Sequence, residues 1–149
     1  MKEKDIIATI LNNLITINKD HIIGNKEAIH DTKKDQEKIR QLLKGMVKQG
    51  ENFILELKEK INELGAEVTD KTITMGLVYN TWMDIVYNNT AEKPEITNFC
   101  DQIEDTTLQA YDSALMELKD LDKNIFDLVL RQKEELAKSC NEIKKVLRN

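Results

Sequence analysis

Proline occurs once in this sequence, at Pro94, and glycine only five times. Aromatic residues make up 5% of the chain, whereas Leu, Ile, Lys and Glu are plentiful. Few helix breakers and many straight-chain residues favour helix over sheet. Basic excess is also missing: 22 Lys and Arg face 27 Asp and Glu, for a net charge of −5. No overall positive field therefore attracts nucleic acid or anionic lipid. Long apolar runs are absent too. The opening stretch "MKEKDIIATILNNLITINKD" is interrupted too often for a signal peptide or a membrane span. The two cysteines, Cys100 and Cys140, form no CxxC pair, which excludes a disulfide framework and a zinc site. The expected compartment is the cytoplasm, with both thiols reduced.

What is present is helical periodicity. At 149 residues the chain reads as one domain, residues 1–149, long enough to bury a proper core. Over about 3–31, Ile6, Ile10, Leu14, Ile17, Gly24 and Ala28 fall at steps of three, four and seven, one face of a helix. "HDTKKD" interrupts, and Asp35 is the expected N-cap of a second helix over about 35–64. Its stripe runs Ile39, Leu43, Met46, Gly50, Phe53, Leu57, Ile61 and Leu64, with Gly65 placed as a C′ residue. A third helix is expected over about 94–119, burying Ile96, Cys100, Ile103, Thr107, Ala110 and Ala114. Asp120 or Asp122 then caps a fourth, over about 122–147. It carries Ile125, Val129, Gln132, Leu136, Ser139, Cys140, Ile143 and Leu147.

The connections decide the topology. Short links join the first and second helices and the third and fourth, which makes each pair antiparallel neighbours. The link between the second and third, residues 65–93, can span the length of such a helix. Short–long–short is the connectivity of an all-α, ferritin-like four-helix bundle with one crossover. Within the crossover, "TITMGLVYNTWMDIVYNN" puts Leu77, Val78, Trp82, Ile85 and Val86 near one face of a short fifth helix. That stripe reads as a strap across the bundle; a dimer contact is the alternative, since aromatics and Met are enriched at interface centres.

Several segments together resemble a known family: "LNNLITINKDHIIG", "ENFILELKEKINELG", "YNTWMD" and "EDTTLQAYDSAL", in that order. They are similar to a family of uncharacterised bacterial four-helix-bundle domains of the ferritin-like superfamily, over nearly the whole chain. The resemblance implies the ferritin-like fold, self-association and a link to stress responses. It implies no particular reaction.

A ferritin-type di-iron site needs a carboxylate from each of two helices and a Glu-x-x-His from each of the other two. Here His21 and His30 are the only histidines and both fall in the first helix. Glu51 is followed three residues later by Ile54, and Glu135 by Lys138, so the standard site is lacking. In "NFCDQIEDTTLQAYDSAL", Asp101 and Asp105 tilt away from the expected stripe and Glu104 borders it. Asp20 borders the first stripe in the same way. Asp20, Glu104 and Glu56 are the weak candidates for a carboxylate-only site for a hard ion. His21 reads as a hydrogen-bonded boundary residue, and His30 as a helix-end residue. Neither has a nucleophile beside it. Cys100 and Cys140 lie equally far from the second hairpin's turn and are expected as buried thiols at similar heights. Gly50 is expected opposite about Ile17. Thr107, Gln132 and Ser139 are the polar stripe members, able to satisfy each other or hold a water.

The functional expectation is a non-enzymatic, self-associating bundle, a dimer by preference, with no cofactor, no intact di-iron centre and no nucleic-acid partner. The alternatives are a divergent metal-binding or oxidoreductase bundle using those carboxylates, and a helical adaptor or chaperone that binds a protein partner.

Overall fold

In the computed structural model, residues 2–32, 36–69 and 93–148 are described, with the side chains of all but 31, 93–104 and 148. Four helices follow one another: α1 Glu3–Asp31, α2 Glu37–Glu63, α3 Lys93–Leu118 and α4 Lys123–Arg148. There is no strand among the described residues.

Sequence chemistry accounts for most of the helix ends. Gly65 takes a φ of +73°, and the bonds Gly65 N–H to Asn62 O and Ala66 N–H to Ile61 O close a Schellman motif. Asp122 starts α4 by accepting the Ile125 N–H at 3.0 Å. The expected cap of α2, Asp35, lies outside the described residues, and Gln36 precedes the first helical residue without a side-chain cap bond. The first turn is instead tied back across the hairpin, where Arg40 donates to the Thr32 carbonyl at 2.7 Å.

The helices pack in a ring, α1 on α2, α2 on α4, α4 on α3 and α3 on α1. Arg40 meets Thr32 while Gly50 meets Ile22, so α1 and α2 are antiparallel. Only the turn 119–122 joins α3 to α4, which pack together, so this hairpin is antiparallel, with Tyr111–Gln132 and Lys133–Asp112 bonded across it. Gln49 meets Ser139 and Glu56 meets Gln132, so α2 and α4 are antiparallel as well. It follows that α1 and α3 are also antiparallel. This is the all-α bundle with one long crossover that the connectivity predicts. The proposed fifth helix and Leu77, Val78, Trp82, Ile85 and Val86 lie outside the described residues.

The α2 stripe from Ile39 to Ile61 and the α4 stripe from Ile125 to Leu147 are buried as predicted, Ser139 excepted, being half-buried. α1 buries Ile10, Leu14, Gly24 and Ala28 as predicted but is turned slightly. Ile6 and Ile17 are only half-buried, while Ile7, Leu11, Ile15, Asn18 and His21 are inside. α3 is rotated too, with Tyr111 enclosed and Ala110 half-buried. Gly50 lies against Ile22 rather than Ile17. A Cβ there would come within 2.9 Å of Ile22 Cγ1, so the missing side chain sets how closely α1 and α2 approach.

At the far end of α2 the chain leaves along α1. The buried Asn12 amide donates to Glu67 O at 3.1 Å and accepts from Thr69 N–H at 2.9 Å.

Candidate functional site

Each helix contributes a polar side chain to one level of the bundle. From α1, Asn18 donates both its amide hydrogens, to the Leu14 carbonyl and to the Tyr111 hydroxyl, each at 2.9 Å. Tyr111 of α3 donates in turn to Gln132 Oε1 of α4 at 2.8 Å. The Gln132 amide donates to Phe53 O and to Glu56 Oε1 of α2, at 3.3 and 3.2 Å. Glu56 then pairs with Arg131, which also donates to Glu135 at 3.1 Å. Every donor in this chain meets an acceptor, so the direction of each bond is fixed.

The network runs from dry to wet. Asn18, Tyr111 and Gln132 are each 0% exposed. Arg131 and Glu56 have side chains 43% and 36% exposed, at a groove of about 410 Å³ that also includes Lys48, Gln49 and Asn52. At that exposure the ion pair adds roughly 0–1 kcal/mol. Burial pushes the Tyr111 phenol well above its ordinary range, against the opposing pull of the Asn18 bond, so it stays protonated and can donate. Within the interior, then, the network is made of neutral amides and a neutral phenol.

A second polar group lies further along the α1–α3 seam. His21 is 1% exposed, not a boundary residue, and burial pushes its imidazole down to about 4. It is neutral at physiological pH. Four buried atoms, Asn18 Oδ1, His21 Nε2 and Asn25 Nδ2 of α1 and Thr107 Oγ1 of α3, have no hydrogen-bond partner among the described residues. Each unsatisfied group costs about 1–3 kcal/mol. Together they rival the net stability of a whole domain, about 5–15 kcal/mol. Of the two expectations for Thr107, Gln132 and Ser139, bonding to one another is not what the side chains do. Gln132 serves Tyr111 and Glu56, Ser139 serves Gln49, and Thr107 Oγ1 is left over.

Of the three metal candidates, Glu56 and Asp20 have described side chains. Glu56 is engaged by Arg131 and Gln132, and Asp20 is buried with contacts of its own. Glu104 lies on α3 with its side chain outside the described residues, as does that of Asp101 and Cys100. Among the described residues, no three His, Cys, Asp or Glu side chains gather closely enough to hold an ion. Asp105 and His30 are exposed. Cys140 is buried at 1% exposure. No helix among the described residues is long and apolar enough to cross a membrane.

Sequence reasoning missed Asn18, Asn25, Tyr111 and Asn12. The available signal was amphipathic geometry: Asn18, His21 and Asn25 recur at i, i+3 and i+7, the spacing of one helix face.

Comparisons with known proteins agree with this architecture. The model of the family described as Domain of unknown function (DUF2383) matches residues 6–117. The chain is similar to a crystal structure of ferritin-like, diiron-carboxylate proteins from Bacillus anthracis str. Ames, with a TM-score of 0.70 and 16% identity. That match covers 99% of this chain and 97% of the other. No curated protein matches the sequence.

Proposed function

This chain belongs to the DUF2383 family, and from that premise we propose that it is a non-enzymatic, ferritin-like bundle acting through association with its own copies. The observation that carries the reading is the character of the central polar level. A ferritin-type di-iron centre takes carboxylates from all four helices and two imidazoles. The carboxylates neutralise the metal charge. Here the four helices contribute Asn18, Glu56, Tyr111 and Gln132. Three are neutral, and the one carboxylate is already paired with a guanidinium. Such a set does not fit the diiron-carboxylate chemistry named for the structural relative. Its bonds hold four helices in register instead.

Association as a dimer is supported by the aromatic crossover sequence around Trp82 and by exposed apolar residues such as Met116 and Leu55, 79% and 64% exposed. The cytoplasmic, stress-linked setting rests on the cysteine usage and on the family resemblance.

The test is elemental analysis of protein purified without added metal, followed by iron titration with a ferroxidase assay. The expected result is no stoichiometric iron and no oxidation above the uncatalysed rate. A pair of irons per chain, lost in Glu104→Ala or Glu56→Ala, overturns the reading and favours the metal-binding alternative. Native size measured for wild type and Trp82→Ala tests the association half.

A further inference from the structure

The hydrogen-bonded chain that enters at Glu56 ends on α1 with an acceptor that no described residue serves. Both amide hydrogens of Asn18 are used, so its orientation is fixed and Oδ1 is left as a buried acceptor. One turn further along α1 comes His21 Nε2, and one turn beyond that Asn25 Nδ2, both without partners. Residues at i, i+3 and i+7 share a helix face. The Asn18–Tyr111 bond sets the register of α1 against the antiparallel α3. One turn back from Tyr111, the unpartnered Thr107 Oγ1 therefore comes level with His21. All four side chains are 1% exposed or less.

The chemistry of this set defines its occupant. Asn18 offers an acceptor, Asn25 a donor, Thr107 a hydroxyl that does both, and His21 a neutral imidazole nitrogen. The four members themselves carry no formal charge, so they match a neutral molecule. Asn18 and Asn25 stand about 10 Å apart along the helix at 1.5 Å per residue, so satisfying every member takes more than one small neutral molecule able both to donate and to accept, which is the usual role of buried water. We propose that the α1–α3 seam is a water-binding site. Ordered water donates to Asn18 Oδ1 and bridges to Thr107, His21 and Asn25, extending the network along α1.

The test is oxygen-17 magnetic relaxation dispersion on the intact chain, which counts waters held longer than the molecule takes to tumble. A chain of this size is expected to hold about five. Thr107→Val keeps the side-chain shape and deletes the hydroxyl, so it should lose on the order of one of them. Thr107→Ser, which keeps the hydroxyl, should retain the wild-type count. His21→Phe is the second deletion, and either variant that keeps wild-type helical content decides the matter. The proposal fails if the wild type holds no long-lived water, or if both deletions leave the count unchanged. It also fails if native mass spectrometry and elemental analysis find a metal ion or organic molecule that Thr107→Val releases.

Discussion

The wall formed by α2 and α4 faces the wall formed by α1 and α3 across one core, but the two are made differently. In the first, Ile39, Leu43, Met46, Leu57, Ile61, Ile125, Val129, Leu136 and Ile143 are buried, and Gln132 is the one fully enclosed polar side chain among the described helical residues. In the second, Asn12, Asn18, Asp20, His21, Asn25 and Thr107 are all buried beside leucine and isoleucine, and Tyr111 places its hydroxyl among them. Apolar side chains of similar size can repack against a neighbour at little cost. A buried amide has only one register in which its partners meet it. The apolar wall thus supplies most of the cohesion, and the polar wall fixes how the helices are aligned.

That contrast can be broken in order of effect. Leu57 is fully enclosed in the apolar wall, and Leu57→Ala is expected to lose about 4 kcal/mol in denaturant unfolding. A loss below about 1 kcal/mol would mean that the wall collapses around the gap and lacks the rigidity ascribed to it.

Acid should find the polar wall next. The folded protein keeps His21 neutral down to about pH 4, whereas an unfolded chain protonates near its ordinary 6.5. Between those values the unfolded state binds more protons, so stability is full above 6.5 and falls as the pH drops towards 4. The whole contribution is about 3 kcal/mol, of which about 2 is gone by pH 5. Unfolding midpoints at pH 7, 6 and 5 check this, with His21→Leu expected to flatten the slope whatever its own stability. An equal slope in that variant would assign the acid sensitivity to carboxylates.

Tyr111→Phe is the finer cut. It takes the donor from Gln132 Oε1 and an acceptor from Asn18 without changing the shape of the core. The expected loss is about 2 kcal/mol. Adding Gln132→Leu should cost less than the sum of the two single changes, because the second substitution removes the group that the first left unsatisfied. Strict additivity would show that the two side chains do not act as one network.

The same difference between walls decided what could be read from the sequence. α2 and α4 have single apolar stripes, and from Ile39 to Ile61 and Ile125 to Leu147 the spacing alone places the core. α1 has apolar residues on several sides: Ile6, Ile7, Ile10, Leu11, Leu14, Ile15 and Ile17. The stripe through Ile6 and Ile17 competes there with the one that is buried, which passes through Asn18 and His21. Treating amides as surface residues shifts the stripe off Asn18, although it still finds Ile10, Leu14, Gly24 and Ala28, which are buried. Burial of the amides depends on partners 93 residues away, from Asn18 to Tyr111, and 21 further on to Gln132, and periodicity along one helix cannot express that pairing. The lack of histidine outside α1 needs no structure, being a matter of counting.

Asn12 treats the chain leaving α2 as a strand would treat its neighbour, bonding one carbonyl and the N–H two residues on. The consequence is kinetic. The Thr69 amide belongs to no helix, but deuterium can replace its hydrogen only when the bond to a buried side chain of α1 opens. Its exchange should keep pace with the amides around Asn12 rather than with those of a loop. In Asn12→Ala the Thr69 amide should exchange at the rate of an open chain while the amides of α2 are unaffected.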